Sequence, residues 1–277
     1  MPMLPDLNYR HVVIHDNFEA LYRFARKNGM ERTAAAALLG FNGRFTVFQW
    51  RNVALIGTGM GSAQTNCLVE SLSERGCQAI VKIGTCSALH SALCEGDIIV
   101  PTGALVDEGA TSWVNVKRRH DSGGFEDKAK VREYIEAKEL ATASPTSRQE
   151  LFAEGCKLGL PIKREFDNPT VWSVDSYGCF DGSAGLYSKV DNVTYSVGVF
   201  GSPGTRSPAM LLGVEMECSA LFARSLSLNP PIDSAALIVV SRTLKRLCGQ
   251  DFAKREIETI ESNETACIGL AIDVLNG

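Results

Sequence analysis

Val53-Ala-Leu-Ile56, followed directly by Gly57-Thr-Gly-Met-Gly61, is the stretch that decides the fold. A short apolar run that stops at a cluster of glycines is typical of a buried strand that ends in a tight turn. Ser62 comes next, and we expect it to cap a helix that continues to about Arg75. A strand, a glycine turn and a helix in succession make up the first part of a βα unit.

Further strands and helices follow along the chain. Residues 116–140 are rich in charged residues and indicate a solvated loop that leads into a surface helix, whereas the Gly, Ser and Pro of residues 181–208 indicate a long excursion. Apolar runs predict strands at Ala79–Ile83, Asp97–Pro101, Val171–Val174 and Ala235–Val240, and helical spacing predicts helices near Lys128–Leu140 and Phe252–Leu275. We therefore expect one α/β domain over residues 1–277, with a mainly parallel, mixed central sheet flanked by helices.

Composition and charge narrow the class of protein. The chain is 45% hydrophobic and 22% charged, which is ordinary for a globular protein, and its net charge of −4 offers no basic excess for binding polymeric nucleic acid. No segment has the pattern of a secretory leader or the length of a membrane span. Nine cysteines without a CxxC pair are typical of reduced thiols, and four dispersed histidines lack metal-ligand spacing. We expect a cytoplasmic protein without a membrane partner or a metal.

The glycine turn at 57–61 allows three interpretations. Glycines after a strand let the backbone approach a phosphate at a helix N-terminus, as in dinucleotide-binding proteins. Two features argue against a dinucleotide: Ser62 stands where the fingerprint needs Gly or Ala, and the next strand ends in Lys82-Ile-Gly84 without an acid for the ribose hydroxyl. The remaining interpretations are an anion or sugar site at the helix start and a tight turn needed only for packing.

Two further clusters carry chemistry. Lys82-Ile-Gly-Thr85 places a cation and a hydroxyl around a strand-ending glycine, where both side chains can converge on one anion. Glu215 and Glu217 lie beside Met216 in a mostly apolar segment, so that at least one carboxylate is expected to be partly buried. A buried carboxylate needs hydrogen-bond donors. Two ribose hydroxyls are suitable donors, and a capping or salt-bridging role is the alternative.

Together these pieces resemble the nucleoside phosphorylase family that includes uridine phosphorylase and the hexameric purine nucleoside phosphorylases, with uridine phosphorylase the more similar. The resemblance covers about residues 40–275. It implies the nucleoside phosphorylase fold and a homo-oligomer, either a dimer or a hexamer. The motifs that carry it occur in the family's order and spacing: Gly57-Thr-Gly-Met-Gly61, Lys82-Ile-Gly-Thr-Cys86, Gly96-Asp-Ile-Ile-Val100, Asp107-Glu-Gly109, Ser173-Val-Asp-Ser-Tyr177, Gly213-Val-Glu-Met-Glu217 and Ile238-Val-Val-Ser-Arg242.

The resemblance assigns four residues to the nucleoside. Glu217 is similar to the glutamate that grips the ribose hydroxyls, and Met216 to the methionine packed against the sugar. Tyr177 resembles the aromatic residue that stacks on the base. Arg242 stands where purine enzymes carry an aspartate and where uridine phosphorylases carry an arginine that holds the pyrimidine carbonyl. Glu217 and Arg242 are thus the implied catalytic residues.

The resemblance also implies a phosphate site. Lys82 stands where the family usually has a phosphate-binding arginine, and Thr85 matches a hydroxyl residue between ribose and phosphate. Gly59 belongs to the glycine turn that holds phosphate. Arg44 resembles the arginine that such enzymes lend to a neighbouring subunit. No cofactor is implied, because inorganic phosphate is the second substrate.

The implied activity is phosphorolysis of a ribonucleoside, with a pyrimidine such as uridine preferred because of Arg242. The sequence departs from the family at residues 15–20, where a Gly-Asp-Pro-x-Arg phosphate loop is expected and neither the glycine nor the arginine is present. Phosphate would meet Asp16 and Glu19 there. Two alternatives follow: a phosphate-independent nucleoside hydrolase on the same fold, and a non-catalytic nucleoside-binding relative.

Overall fold

A computed structural model describes residues 9–30, 32–37, 44–59, 61–107, 128–174, 190–243 and 254–277. These residues form one twelve-stranded sheet and six helices. The strands are β1 (His11–His15), β2 (Arg32–Ala37), β3 (Arg44–Trp50), β4 (Val53–Gly57), β5 (Ala79–Ala88), β6 (Ile98–Ile99), β7 (Gly103–Asp107), β8 (Glu139–Thr142), β9 (Pro169–Val174), β10 (Thr194–Val199), β11 (Ser202–Glu215) and β12 (Asp233–Arg242). The helices are α1 (Phe18–Lys27), α2 (Ser62–Ser73), α3 (Lys128–Glu136), α4 (Pro145–Lys157), α5 (Cys218–Ser227) and α6 (Lys254–Asn276).

The centre of the sheet is parallel. β1 pairs in parallel with both β4 and β5, and β5 pairs in parallel with β12. The antiparallel strands β2 and β3 extend the sheet beyond β4. On the other side, β11 pairs with the C-terminal end of β5 in antiparallel orientation. The sheet continues from β11 through β9, β7 and β8 to β10. The carboxyl ends of β1, β4, β5 and β12 therefore meet at one edge.

Helices cover both faces of this sheet. Apolar residues of α2 and α5, among them Leu68, Leu72 and Phe222, pack on one face in a single buried cluster. Residues of α1, α4 and α6, such as Leu21 and Leu151, pack on the opposite face in a second cluster. A sheet whose strands are buried on both sides needs near-continuous apolar runs, which explains why β4 is buried at every position. The predicted α/β fold with a mixed central sheet is confirmed.

The strands predicted around residues 53, 79, 98, 171 and 235 are present, as is the long C-terminal helix. Ser62 does not cap α2, which was the expectation. Gly61 occupies the N-cap position without a side-chain hydrogen bond, and the Ser62 hydroxyl donates to the carbonyl of Met216 at 2.8 Å. The Ser62 hydroxyl therefore links the start of α2 to Met216 across the turn.

Several elements differ in extent from the prediction. β5 continues through Gly84 to Ala88, because β12 and β11 supply hydrogen-bond partners along its whole length. The helix α3 stops at Glu136, and Leu140 lies buried in β8 instead. The excursion expected over 181–208 contains the β10–β11 hairpin, although its first part, like the loop expected before α3, lies outside the described residues.

Two expectations about the whole chain can be compared with the described part. Within it, no helix combines the length and the apolar character needed to cross a membrane. All seven cysteines that lie within it are free thiols.

Candidate functional site

The candidate site lies where the carboxyl ends of the central parallel strands meet. In open α/β sheets this edge is where ligands bind, because loops there connect strands to helices and helix N-termini point toward it. β1 ends at His15, β4 ends at Gly57, and the backbone N–H of Thr58 donates to the carbonyl of His15 at 2.9 Å. The two strand ends are thereby joined directly at this edge.

The glycine turn connects this edge to the segment that contains Glu217. Gly59 and Gly61 have φ angles of 69° and 114°, which side-chain-bearing residues rarely adopt. This conformation aims the Gly61 N–H at Glu217, whose Oε1 accepts it at 2.7 Å. Since Ser62 also donates to Met216, the turn and the Met216-Glu217 pair form one hydrogen-bonded unit. Two motifs that are about 155 residues apart in the sequence therefore meet in the fold.

Glu215 has a structural role next to this unit. Its Oε2 accepts the N–H groups of Glu217 and Cys218, both at 2.8 Å, and its Oε1 accepts the Ser173 hydroxyl. These amides open α5, so Glu215 caps that helix and lowers the cost of its free N–H groups. For the acidic pair, the sequence left open ribose binding and a capping or salt-bridging role. Glu215 performs the capping role.

Lys82 projects into the space between these acids. Its ammonium lies 3.2 Å from Glu217 Oε2 and 3.6 Å from both Asp16 Oδ2 and Glu215 Oε2. The residue is only 1% exposed. Gly84 provides the room, because a Cβ there would overlap the Lys82 ammonium. One buried cation thus faces three carboxylates.

This arrangement sets the pKa values of the cluster. Burial opposes the charge on Lys82, but Glu217, Asp16 and Glu215 raise the pKa of the ammonium well above its usual value. Burial raises the pKa of Glu217 to about 7, against the lowering effect of Lys82. Burial also raises the pKa of Asp16, but Lys82 and His15 outweigh it and together lower this pKa to about 2. The opposing effects of burial and of Lys82 thus leave the pKa of Glu217 near neutral pH.

His15 and Glu264 lie next to Asp16, and neither is among the predicted site residues. His15 Nδ1 accepts the Asn17 N–H at 2.9 Å and lies 3.2 Å from Asp16 Oδ1, while its Nε2 is 3.8 Å from Glu264 Oε1. Burial raises the pKa of Glu264. A histidine at the end of an apolar strand and a glutamate on the buried face of α6 are the signals that would have found them.

The segment that replaces the family's expected phosphate loop forms an ordinary helix start. The Asn17 side chain caps α1 by accepting the N–H groups of Glu19 and Ala20 at 3.1 and 3.3 Å. Glu19 itself is exposed on α1. Asp16, the other acid expected near phosphate, instead pairs with Lys82. The amides that open α1 are thus occupied by their own cap.

The remaining predicted residues are placed as follows. Thr85 is half-buried and pairs in register with Val239; because side chains alternate along a strand, it lies on the face of β5 opposite to Lys82 and Gly84. Arg242 is exposed at the end of β12, in register with Ser87. The backbone of Arg44 opens β3, but its side chain, like the whole of Tyr177, lies outside the described residues. No group of three or more metal-ligating side chains is found within the described ranges.

Sequence comparison finds relatives that are named as purine nucleoside and guanosine phosphorylases. The chain is 32% identical over 129 residues to a DeoD-type purine nucleoside phosphorylase of Myxococcus xanthus, covering 44% of this chain and 51% of that one. It is 29% identical over 100 residues to a guanosine phosphorylase of Halorubrum lacusprofundi, covering 36% and 38%. The matched segments thus span about half or less of the relatives' length.

Solved structures share the fold over nearly the whole chain. Uridine phosphorylase from Vibrio fischeri, complexed with 6-hydroxy-1-naphthoic acid, has a TM-score of 0.65 at 17% identity and is matched over 96% of this chain and 90% of its own. Purine nucleoside phosphorylase from Toxoplasma gondii, in complex with immucillin-H, has a TM-score of 0.63 at 16% identity, with the same two coverages. The profile of the Phosphorylase superfamily matches residues 18–276. Since that match spans nearly the entire chain, the protein belongs to the Phosphorylase superfamily, as its motifs predict.

Proposed function

We propose that this protein cleaves the N-glycosidic bond of a ribonucleoside with inorganic phosphate, giving free base and ribose 1-phosphate. The observation that carries the proposal is the position of Glu217, a buried carboxylate held between the Gly61 N–H and the Lys82 ammonium at the carboxyl ends of parallel strands. An ionised carboxylate is a strong acceptor for two neighbouring hydroxyls. Membership of the Phosphorylase superfamily supports the same reaction.

The proposed reaction requires a site that holds the ribose and places phosphate next to C1′. As the C1′–N bond breaks, its electron pair leaves with the base, and positive charge develops on the sugar. A phosphate oxygen then forms the new bond to C1′ from the face opposite the base. The first turn of α2 has no side-chain cap among the described residues, so its N–H groups beside Gly59 are suited to that phosphate. Glu217 would hold the ribose, with Met216 packed beside it.

Arg242 is the residue on which the proposed pyrimidine preference rests. A guanidinium only donates hydrogen bonds and carries a fixed positive charge, which suits the carbonyl oxygens of a departing uracil. The relatives named above include purine and guanosine enzymes as well as a uridine enzyme. These relatives do not distinguish a pyrimidine from a purine substrate, so the proposed preference for uridine needs a separate test.

We expect Arg242→Asp to lower kcat/KM for uridine by about tenfold, since one charge-assisted hydrogen bond to the leaving base is lost. Steady-state release of uracil, inosine serving as the purine comparison, measures the effect. Arg26→Asp is the matched control, because Arg26 is exposed in the last turn of α1, which begins after the carboxyl end of β1 and leads away from it. Equal uridine turnover in the Arg242 variant and the control would place Arg242 outside the base site.

The proposed reaction is tested by incubating uridine, inosine and guanosine with and without phosphate. Base release that requires phosphate, together with ribose 1-phosphate as product, is the expected result. Release at the same rate without phosphate would identify a hydrolase. Binding without any release would identify a non-catalytic relative.

The proposal includes a cytoplasmic homo-oligomer, as the resemblance to the family implies. Light scattering of the purified protein measures its mass against the 30.0 kDa of one chain. A monomer that is fully active would contradict the shared site expected for Arg44.

A further inference from the structure

Lys82 and the glycine turn, which the resemblance assigns to phosphate, both contact Glu217. Gly61 N–H lies 2.7 Å from Oε1, and the Lys82 ammonium lies 3.2 Å from Oε2. We propose that Lys82 is a positioning residue that favours the ionised form of the Glu217 carboxylate and orients it for the ribose, and that it is not a ligand of phosphate. The inference rests on the proposed function, in which Glu217 accepts the ribose hydroxyls.

The distances rank the partners of Lys82. Glu217 is the nearest carboxylate, and Asp16 and Glu215 follow at 3.6 Å. All these groups are buried or nearly so: Lys82 is 1% exposed, and the side chain of Asp16 is 10% exposed. A phosphate dianion brought to this ammonium would meet the surrounding negative charge at short range. Among the described residues the ammonium has no hydrogen-bond partner, and its charge is balanced by these three carboxylates.

The residues at 82 and 84 suit this role. An ammonium is a compact point charge that can face three carboxylates arranged around it, whereas a guanidinium is a planar fork suited to one bidentate partner. Gly84 shares the face of β5 with Lys82, and a Cβ there would lie 2.8 Å from Asp16 Oδ2 in addition to overlapping the ammonium. Lysine at 82 and glycine at 84 therefore complement each other.

The charges around Glu217 determine what the loss of Lys82 would do. The groups that face it are Lys82 on β5, Asp16 after β1 and Glu215 on β11, together with the Gly61 N–H. Burial raises the Glu217 pKa to about 7; Lys82 and Gly61 lower it, whereas Asp16 and Glu215 raise it. Without Lys82 the side chain would stay protonated at neutral pH. A protonated carboxyl is a poorer acceptor for ribose hydroxyls.

The test is a ¹³C NMR titration of the Glu217 side-chain carboxyl in protein labelled at glutamate, with Glu217→Gln identifying the signal. We expect a midpoint near pH 7 in the native protein and a midpoint at least about one unit higher in Lys82→Met. Asp16→Asn removes a nearby negative charge and should move the midpoint down. Opposite shifts in the two variants are not expected from a merely structural role.

The functional consequence is measured on the same variants. In Lys82→Met at pH 7, the nucleoside KM should rise by at least about fivefold, because a midpoint one unit higher lowers the ionised fraction of Glu217 from about one half to about one tenth, while the phosphate KM changes less than about threefold. Lys82→Arg, which keeps the charge, should recover part of the native midpoint.

An unchanged Glu217 midpoint in Lys82→Met overturns the inference, as does a higher phosphate KM with an unchanged nucleoside KM. If Lys82→Met does not fold, the Asp16→Asn titration decides, and a midpoint that does not move down overturns the proposal. The NMR readout needs no turnover. A native protein that titrates as expected but cleaves no nucleoside would therefore refute the proposed function while supporting the charge coupling between Lys82 and Glu217.

Discussion

Replacing Glu217 by glutamine should lower kcat/KM for a ribonucleoside by about tenfold to a hundredfold. The variant keeps a carbonyl oxygen that can accept the Gly61 N–H, so the turn should stay in place. It loses the charge that strengthens hydrogen bonds from the ribose hydroxyls, and such bonds contribute about 1.5 to 3 kcal/mol. Lys82 still faces Asp16 and Glu215, which limits the effect on the fold.

Initial rates over a range of uridine concentrations measure this effect, and 2′,3′-dideoxyuridine shows its origin. The native protein should prefer uridine strongly, whereas the glutamine variant should lose much of that preference. Glu150→Gln is the control, because Glu150 is exposed on α4, which packs on the other face of the sheet. Activity within twofold of the native protein would exclude Glu217 from the sugar site.

Glu215→Ala should have the largest effect on stability, lowering the free energy of unfolding by about 3 to 5 kcal/mol. The substitution removes the acceptor of the Glu217 and Cys218 N–H groups and of the Ser173 hydroxyl, all of which are buried. Buried donors without partners keep their full desolvation cost. The same change removes one of the three carboxylates that face Lys82.

Urea unfolding followed by circular dichroism measures this loss, with Glu154→Ala as the control. Glu154 forms an exposed ion pair with Lys157 within α4, and such pairs contribute about 0 to 1 kcal/mol. A loss below about 1 kcal/mol in Glu215→Ala would show that its hydrogen bonds do not hold the start of α5. Equal losses in the two variants would lead to the same conclusion.

The sheet could be predicted because its central strands carry their own signal. Val53–Gly57 and Ala235–Val240 are buried on both faces and are therefore apolar at almost every position. The end of β5 could not be predicted, since Gly84 resembles a strand terminator when its neighbours are unknown. Gly84 lies within the strand because β12 pairs with it, and its lack of a Cβ leaves room for the Lys82 ammonium. The β10–β11 hairpin was missed because its exposed residues are rich in Gly, Ser and Pro.

The site was predicted as a set of motifs, whereas its electrostatics depend on contacts between distant segments. The sequence indicates that Glu217, Lys82 and the glycine turn belong to one site. It does not reveal that Asp16 and Glu215 face the same ammonium, because those contacts join residues far apart in the chain. The roles of Glu215 and His15 depend likewise on partners that only the fold brings near.

The most direct test of the proposed phosphorolysis is to identify the oxygen that becomes bonded to C1′. Uridine carrying ¹³C at C1′ is incubated with the protein and ¹⁸O-labelled phosphate in ordinary water, and the ¹³C NMR isotope shift at C1 is recorded. Phosphorolysis should give ribose 1-phosphate whose C1 is bonded to ¹⁸O from phosphate. Free ribose with unlabelled oxygen at C1 from the start of the reaction, or uridine that remains intact, would contradict it.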